Sequence, residues 1–211
     1  MSIPGTTRPQ WAFVQFLAML SSAMACAMAM WAGFDKIPDG SERAPSMVWT
    51  PRVTVAAVIE RGGRFLVIEE DTDEGVRLNQ PAGHLEAGES LECAVARETL
   101  EETAHSFVPA GLLGTYLWRP AGAGAPTFLR FAFVGEVGEP LAGRVLDEGI
   151  RRAFWIRTDE LRARRAEHRS PLVMRCVDDY LRARASGRPW LALDALYTHS
   201  AIVDTQHHGK Q

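Results

Sequence analysis

The sequence predicts an α/β fold of the α+β type, in which a mixed β-sheet is sandwiched between helices. Segments with strand periodicity and segments with helix periodicity alternate irregularly, and no βαβ repeat is present. The chain has 211 residues, of which 46% are hydrophobic and 23% charged, so it can bury one sizeable core. The irregular order of strands and helices is what favours a mixed sheet.

The first half of the predicted domain begins with a β-hairpin. Apolar and polar residues alternate along its first strand, as expected where one face of a strand is buried. Two glycines between the strands suit a tight turn. The predicted elements are a strand over 53–60, a turn over 61–63, a strand over 65–69 and a polar loop over 71–75.

A helix is predicted over residues 89–103. Ser90 stands where an N-cap is expected, and Glu92 lies in the first turn, where the helix dipole favours an acidic side chain. The face of the helix opposite its C-terminal acidic residues is predicted to be buried. That face consists of Cys93, Ala96 and Leu100.

The second half is predicted to contain another hairpin, a last strand and two helices. A Pro- and Gly-rich segment over 120–126 forms the tip of the hairpin. Thr158 is predicted to cap a short helix whose Leu161 faces inward, and Ser170 to cap the final helix, with Pro171 in its first turn. The predicted strands cover 112–118, 127–137 and 153–156, and the predicted helices cover 158–165 and 170–185.

Three glutamates near the end of the helix over 89–103 point to a metal. Glu98, Glu101 and Glu102 stand at positions i, i+3 and i+4, so their carboxylates project to the same side. Like charges this close repel and raise each other's proton affinity. A divalent cation removes that cost, and hard carboxylate oxygens suit Mg²⁺ or Mn²⁺. A solvated acidic helix face is the alternative interpretation of such a cluster taken alone.

Residues upstream of the three glutamates complete a longer motif. Gly83 is followed after five residues by Glu89, and after seven more by Arg97 and the glutamates. This arrangement resembles the NUDIX box, the signature of the NUDIX hydrolases, which cleave diphosphate linkages. The resemblance implies a NUDIX fold and a hydrolase that acts on phosphorus-containing acid anhydrides.

Three positions depart from the family's pattern. Thr99 and His105 stand where the family prefers aliphatic residues, and Ala104 stands where it prefers glycine. Ala104 matters most, because a glycine at a helix end often adopts a left-handed conformation that alanine resists. We therefore expect a differently shaped helix end, with the carboxylates themselves retained.

The resemblance extends from about residue 50 to about residue 195. The segment from Arg52 looks like the first strand of the family. Three further segments resemble one subgroup of it, the phosphatase NudJ type. These segments are Asn79–Glu86, Phe128–Phe131 and Arg169–Val173.

The metal ligands are assigned from the carboxylates and from the resemblance. Glu98 and Glu102, one helical turn apart, are the first candidates, and Glu101 is a further direct or water-mediated ligand. The resemblance adds the carbonyl of Ala82. Gly83 is expected to let the backbone turn tightly beside that carbonyl.

Catalytic and substrate-binding residues are assigned from the motif and from the segments around it. Arg97 is expected to pair with Glu89 and to support the site, in which Glu98 and Glu101 act. The general base is either one of the box glutamates or Glu148, in a polar loop before the last strand. The substrate-binding candidates are Arg130, Asn79, Gln80 and His84.

The predicted function is hydrolysis of small diphosphates. The NudJ resemblance implies nucleoside di- and triphosphates and thiamine-related pyrimidine pyrophosphates as substrates, with Mg²⁺ as cofactor and Mn²⁺ as its alternative. Other NUDIX specificities, such as nucleotide sugars, and a catalytically silent nucleotide-binding regulatory domain are the competing hypotheses. The net charge of −3 gives no support for binding a nucleic-acid polymer. A monomer and a dimer are both compatible with the sequence.

The N-terminal region stands apart from the predicted domain. Residues 11–34 carry no charge and are long enough to cross a bilayer as a helix. A membrane anchor, a signal peptide and a true start at Met47 are the three interpretations. We predict a leader and linker over 1–46, a hydrolase domain over 47–195 and a polar tail over 196–211. Three widely spaced cysteines suit a reducing compartment, so the expected location is cytoplasmic, or membrane-anchored if the leader is expressed.

Overall fold

The computed structural model describes residues 49–203 of the chain. The predicted leader over 1–46, including the apolar segment over 11–34, lies outside the described residues, as does the end of the tail. Within residues 49–203, every helix is too short or too polar to span a bilayer.

Eight strands and three α-helices make up the described part of the chain, with two short 3-10 helices at 165–167 and 193–195. The strands are β1 Arg52–Ala57, β2 Glu60–Arg61, β3 Arg64–Thr72, β4 Gly75–Asn79, β5 Ala82–His84, β6 His105–Trp118, β7 Phe128–Pro140 and β8 Ile150–Arg157. The α-helices are α1 Leu91–Thr103, α2 Thr158–Ala163 and α3 Leu172–Ser186.

The strands form two four-stranded sheets. The first sheet has the order β5-β1-β7-β6 and is mixed, because β1 runs antiparallel to β5 and parallel to β7. In the second sheet, β3 pairs antiparallel with β2, β4 and β8. The predicted mixed sheet with helices is confirmed, and the irregular element order arises because β1 lies between the late strand β7 and the short strand β5.

Two apolar clusters cover opposite faces of β1, because successive side chains of a strand point to opposite sides. Val55 and Ala57 belong to the cluster that includes Ala94 and Val95 of α1. Val58, of the other parity, belongs to the cluster that includes residues of α3. The first sheet therefore carries α1 on one face and α3 on the other.

Two short strands and one helix face differ from the sequence predictions. The loop predicted over 71–75 is instead the turn of a hairpin that β4 continues, and β5 follows it. Both strands are short, with five and three residues, so a periodic pattern has too few positions to identify them. Cys93, predicted to be buried, is exposed. The buried residues of α1 are Ala94, Val95, Glu98, Thr99, Glu102 and Thr103, so two carboxylates lie on the face that packs inward.

The caps of the helices follow the sequence in part. Ser90 accepts a hydrogen bond from the Cys93 N–H and caps α1 as predicted. Ser170 accepts a hydrogen bond from the Leu172 N–H, but Pro171 and not Ser170 is the N-cap of α3, so that predicted cap is wrong. Thr158 is not the cap of α2, because Arg157 holds that position without a side-chain bond. The short α2 is instead fixed by Leu161, which is fully buried.

Ala104 ends α1 in the conformation that glycine usually provides. It has φ 60° and ψ 8°, and no other non-glycine residue among 49–203 has a positive φ. Its N–H donates to the Leu100 carbonyl at 3.0 Å, and its own carbonyl accepts from the Leu141 N–H at 2.8 Å. The expectation of a differently shaped helix end is therefore wrong: alanine keeps the left-handed turn and bears its strain.

The other two departures from the family's pattern are absorbed by hydrogen bonds. The Thr99 hydroxyl is fully buried and donates to the Val95 carbonyl at 2.7 Å, four residues back along the helix. The His105 Nδ1 lies 2.7 Å from the Thr103 carbonyl, and its ring meets that of Trp155 edge to face. Polar side chains can therefore fill apolar positions here without losing partners.

Replacing Ala104 with glycine is expected to stabilise the protein. The substitution removes a left-handed strain of about 1–2 kcal/mol. It also raises the conformational entropy of the unfolded chain, which lowers stability by about 0.4–1 kcal/mol. We expect the free energy of unfolding to rise by about 0.5 kcal/mol in urea titrations. Ala96→Gly, in the interior of the same helix, is the control and should lower it by about 0.5–1 kcal/mol. A destabilised Ala104→Gly variant would contradict the strain.

Candidate functional site

The site is built where strand β5 meets helix α1. The N–H of Ala82 donates to Glu102 Oε2 at 2.7 Å. One residue further, a Cβ placed on Gly83 would overlap the Glu98 carboxylate. Gly83 does not have a positive φ. The expectation that it makes a tight turn is therefore replaced by a different reason, the close approach of the Glu98 side chain to the backbone.

Arg97 holds the loop and the glutamates together. Its Nε and Nη2 bind both oxygens of Glu89, at 3.1 and 2.8 Å, as the sequence predicts. Its Nη1 binds Glu98 Oε1 and Glu101 Oε2, both at 2.9 Å. Its Nη2 also donates to the His84 carbonyl at 3.0 Å. One guanidinium thereby fixes three carboxylates and the end of β5.

Glu98 and Glu102 are buried, and nearby positive charge compensates only part of the effect of burial on their pKa values. Burial raises the pKa of Glu98, and Arg97 only partly opposes this. Burial raises the pKa of Glu102 to about 9, and the negative charges of Glu98, Glu70 and Asp147 add to the effect. The hydrogen bond from the Ala82 N–H lowers the pKa of Glu102, but by less than burial raises it. This side of α1 is an acidic pocket that favours bound cations.

The donor chemistry of this pocket fits a divalent cation. Within the described ranges, no three His, Cys, Asp or Glu side chains are gathered closely enough to form a metal site as they stand. Arg97 occupies oxygens of Glu98 and Glu101, and Ala82 occupies one of Glu102. The remaining oxygens are hard donors on a buried, negatively charged surface, which is the donor type that Mg²⁺ prefers.

A cavity of about 310 Å³ opens beside β5 and forms the candidate substrate cavity. Ala82, Gly83 and His84 line it on the side of the glutamates. Trp118 and Phe128 also line it, with their rings stacked at a centroid distance of 5.8 Å. The volume and the aromatic wall suit a flat ring of a small molecule.

A row of polar side chains crosses the first sheet beneath this cavity. His84 pairs with Thr54 of β1, Thr54 with Arg130 of β7, and Arg130 with Tyr116 of β6, so these side chains share one face. His84, Thr54 and Arg130 line the cavity. Tyr116 instead donates to Asp179 of α3 at 3.1 Å.

Arg130 is the unusual member of this row. It is only 8% exposed, and its Nε and Nη1 are buried with no hydrogen-bond partner in the described part of the chain. Burial lowers the pKa of Arg130, while Glu70 and Glu102 oppose that shift. The buried Thr54 Oγ1 and Asn79 Oδ1 also have no partner there. Donors and acceptors thus remain free at the floor of the cavity.

The other predicted substrate contacts divide between the cavity and the core. Asn79 lines the cavity and donates through Nδ2 to Glu70 at 3.1 Å. Gln80 does not line it: the side chain is 2% exposed and donates to the Val173 carbonyl at 2.7 Å, tying β4 to α3. We therefore replace its predicted substrate contact with a structural one. The pKa of His84 is lowered by burial and by Arg52, so the ring is neutral near pH 7.

The loop before β8 offers a different acid from the one predicted. The Glu148 side chain is exposed, and the structure does not bring it into the buried acidic pocket. Its neighbour Asp147 donates its backbone N–H to the Glu101 carbonyl at 3.1 Å. The charge of Asp147 raises the pKa of both Glu98 and Glu102. Asp147 is thus the acid of this loop that acts on the glutamates.

Sequence reasoning also missed Glu70 and Thr54. Glu70 lies at the end of β3, where burial raises its pKa, and it faces both Asn79 and the cavity. Thr54 stands in an ordinary alternating strand. Neither residue belongs to a motif, so only the pairing of strands distant in sequence could have identified them.

Comparisons with known proteins agree with this geometry. A family model for the NUDIX domain matches residues 50–176. The Phosphatase NudJ of Escherichia coli (strain K12) is 37% identical over 133 residues, which are 63% of this chain and 85% of that protein. The Phosphatase NudJ of Shigella boydii serotype 4 (strain Sb227) has the same identity and coverage. These matches confirm the family and the NudJ resemblance predicted from the sequence.

Solved structures give the same result for the fold. A NUDIX hydrolase from Nitrosomonas europaea is 48% identical, with a TM-score of 0.65 over 71% of this chain and 98% of that chain. A MutT NUDIX hydrolase from Burkholderia pseudomallei is 25% identical, with a TM-score of 0.52 over 62% of this chain and 98% of its own. The α+β fold predicted from the sequence is therefore confirmed.

Gly83→Ala is expected to displace the Glu98 side chain. The added methyl overlaps the carboxylate, so the free energy of unfolding should fall by about 1–3 kcal/mol and hydrolysis should be impaired. Urea titration and a hydrolase assay measure the two effects. In the double variant Gly83→Ala/Glu98→Asp, the shorter acid should recover stability but not activity. Wild-type stability in the single variant would contradict the close approach.

Proposed function

The chain belongs to the NUDIX family and is a hydrolase of phosphorus-containing anhydrides, and from that premise we propose its substrates and its cofactor. The substrates are nucleoside di- and triphosphates and thiamine-related pyrimidine pyrophosphates. The cofactor is Mg²⁺, with Mn²⁺ as an alternative. The observation that carries this proposal is the buried acidic pocket of α1, which adjoins a cavity with an aromatic wall and free polar atoms.

Glu98 and Glu102 are the proposed principal metal ligands, with the Ala82 carbonyl as a further ligand and Glu101 as a water-mediated one. Their support is the hard-oxygen donor type and the raised pKa of both buried side chains, which reflects a lack of nearby positive charge that a cation would supply. When bound, the cation neutralises phosphate charge, polarises the scissile P–O bond and lowers the pKa of a water. Arg97 keeps the carboxylates at their positions through its bonds to Glu89 and to the β5 backbone.

The reaction needs a group that takes a proton from the attacking water. Water adds to one phosphorus, the P–O bond to the bridging oxygen breaks, and the leaving phosphate carries that electron pair away. Glu101 is our choice of base, because its side chain is 29% exposed and that of Glu98 only 12%. A base must be reachable by the water that it deprotonates.

The floor of the cavity supports recognition of a ring edge. Arg130 offers donors, Asn79 Oδ1 offers an acceptor and the Thr54 hydroxyl offers both. A phosphate has acceptors only and would lie against the Glu70 carboxylate, whereas an amino- or oxo-substituted pyrimidine presents donors and acceptors side by side. The stacked rings of Trp118 and Phe128 give such a ring a flat wall.

A silent nucleotide-binding domain remains the competing function. It is favoured by one observation, that no preformed three-ligand metal cluster exists among residues 49–203. The full chain should be assayed against nucleoside di- and triphosphates, thiamine-type pyrimidine pyrophosphates, nucleotide sugars and dinucleoside polyphosphates, with and without Mg²⁺. Cation-dependent product formation supports the hydrolase, and its ranking over the panel tests the substrate class. A folded protein that turns over none of them would favour the silent domain.

Glu102→Gln is expected to abolish cation-dependent turnover without unfolding the chain. The amide keeps an oxygen that accepts the Ala82 N–H, but it removes the charge that would bind the cation. We expect kcat/KM to fall at least about 100-fold, which is about 2.7 kcal/mol. Glu160→Gln, an exposed acid of α2, should change kcat/KM less than twofold. Near-wild-type turnover in Glu102→Gln would remove this metal-ligand assignment.

Arg130→Met is expected to move stability and substrate affinity in opposite directions. Methionine fills the space without a buried unpaired charge, so the free energy of unfolding should rise by about 1 kcal/mol. Loss of charge-assisted bonds, worth about 1.5–3 kcal/mol, should raise KM at least about tenfold. Tyr116→Phe, in the same row but outside the cavity, should leave KM unchanged. A destabilised variant with normal KM would assign Arg130 a structural role only.

A further inference from the structure

A second cavity, which we term the basic cleft, adjoins the candidate substrate cavity. It has a volume of about 550 Å³ and is lined by the three arginines Arg165, Arg169 and Arg175 and by His168. None of its lining residues is acidic. In a chain with a net charge of −3, this is a local concentration of positive charge.

The basic cleft and the substrate cavity share a wall. Trp118, Arg169 and Ser170 line both of them. Trp118 also forms part of the aromatic wall of the substrate cavity. When the ring of a nucleotide rests against Trp118 and its diphosphate points to the glutamates, a further substituent on its sugar lies within reach of the basic cleft across this shared wall.

The charges in the basic cleft are available to a ligand. Arg165 forms no ion pair with any residue of 49–203. Arg175 shares Asp179 with Arg182, so this carboxylate is already neutralised without it. Arg169 lies only loosely paired, at 3.9 Å from Glu70. Guanidinium groups are the side chains best matched to phosphate oxygens.

A buried histidine adds a contact of another kind. His168 is 9% exposed, and its Nε2 donates to the Leu161 carbonyl at 2.9 Å, so Nδ1 carries the lone pair. That Nδ1 is buried and has no partner in the described residues. Burial lowers the pKa of His168, which keeps it neutral. It can accept from a ligand hydroxyl, such as one on a sugar between a ring and a phosphate.

We propose that the basic cleft binds a phosphate monoester carried by the sugar of the substrate, separate from its diphosphate. The preferred substrates are then nucleoside diphosphates that carry a further phosphate on the sugar. This inference rests on the proposed function, because the substrate cavity and its glutamates define where the ring and the diphosphate lie. The start of α3, where Ser170 of the shared wall accepts from the Leu172 N–H, adds positive potential for the same group.

Equilibrium binding of two product-like nucleotides to the full chain tests the basic cleft without turnover. Cytidine 5′-monophosphate and cytidine 3′,5′-bisphosphate differ only in the 3′-phosphate on the sugar, and neither contains a diphosphate linkage. By calorimetry, the bisphosphate should bind about tenfold more tightly, a difference of about 1.4 kcal/mol. The difference should shrink as salt is raised, because half-exposed charges are screened.

The double variant Arg165→Ala/Arg175→Ala should bind both nucleotides equally, with the affinity for the monophosphate unchanged. Arg182→Ala is the matched control, since Arg182 pairs with Asp179 as Arg175 does but lies outside the basic cleft. It should keep the tenfold difference. Equal binding by the wild type, or a difference that survives in the double variant, would overturn the proposal.

Turnover separates this inference from the proposed function. With cytidine 5′-diphosphate and its 3′-phosphorylated form as substrates, kcat/KM should favour the latter about tenfold in the wild type alone. If neither compound is hydrolysed while the binding difference holds, the proposed substrate class fails and the basic cleft stands. If both are hydrolysed at equal rates and bind equally, the hydrolase stands and the basic cleft is refuted.

Discussion

The structure depends on the close contact between strand β5 and helix α1. A side chain at Gly83 would overlap the Glu98 carboxylate, and the Ala82 N–H binds Glu102 directly. These contacts bring two buried carboxylates against the backbone of β5, which is only three residues long. Because β5 also pairs with β1, the position of the acidic pocket is tied to the centre of the first sheet.

Such a concentration of buried acids is costly, and the fold offsets only part of the cost. Arg97 satisfies Glu89 fully and reaches Glu98 and Glu101 with one nitrogen. Glu102 receives a single backbone bond, while burial and, to a smaller extent, three other acids raise its pKa. Buried ionisable groups with strongly shifted pKa values are typical of functional sites, although they lower stability. A bound cation would supply the missing positive charge.

The two faces of the first sheet separate chemistry from recognition. Residues of one parity on β1 pack toward α1, which carries the glutamates, and residues of the other parity point toward α3. The polar row with Arg130 and the stacked Trp118 and Phe128 belong to the α3 face. Strand β5 contributes to both faces of the sheet, since Gly83 contacts Glu98 of α1 while His84 lines the cavity. Substrate preference can thus change on one face without disturbing the carboxylates on the other.

The sequence by itself determined the local features. The spacing of Gly83, Glu89 and Arg97 before the glutamates identified the family and the Arg97–Glu89 pair, because helix geometry acts over a few residues. It marked Ala104 as unusual, but only the structure showed that alanine keeps the left-handed turn. Only the tertiary structure decided four other features. They are the inward face of α1, the core position of Gln80, the effect of Asp147 on the glutamates and the polar row beneath the cavity. Each depends on which distant strand or helix lies alongside, and strand pairing between β1 and β7 leaves no periodic trace in the chain.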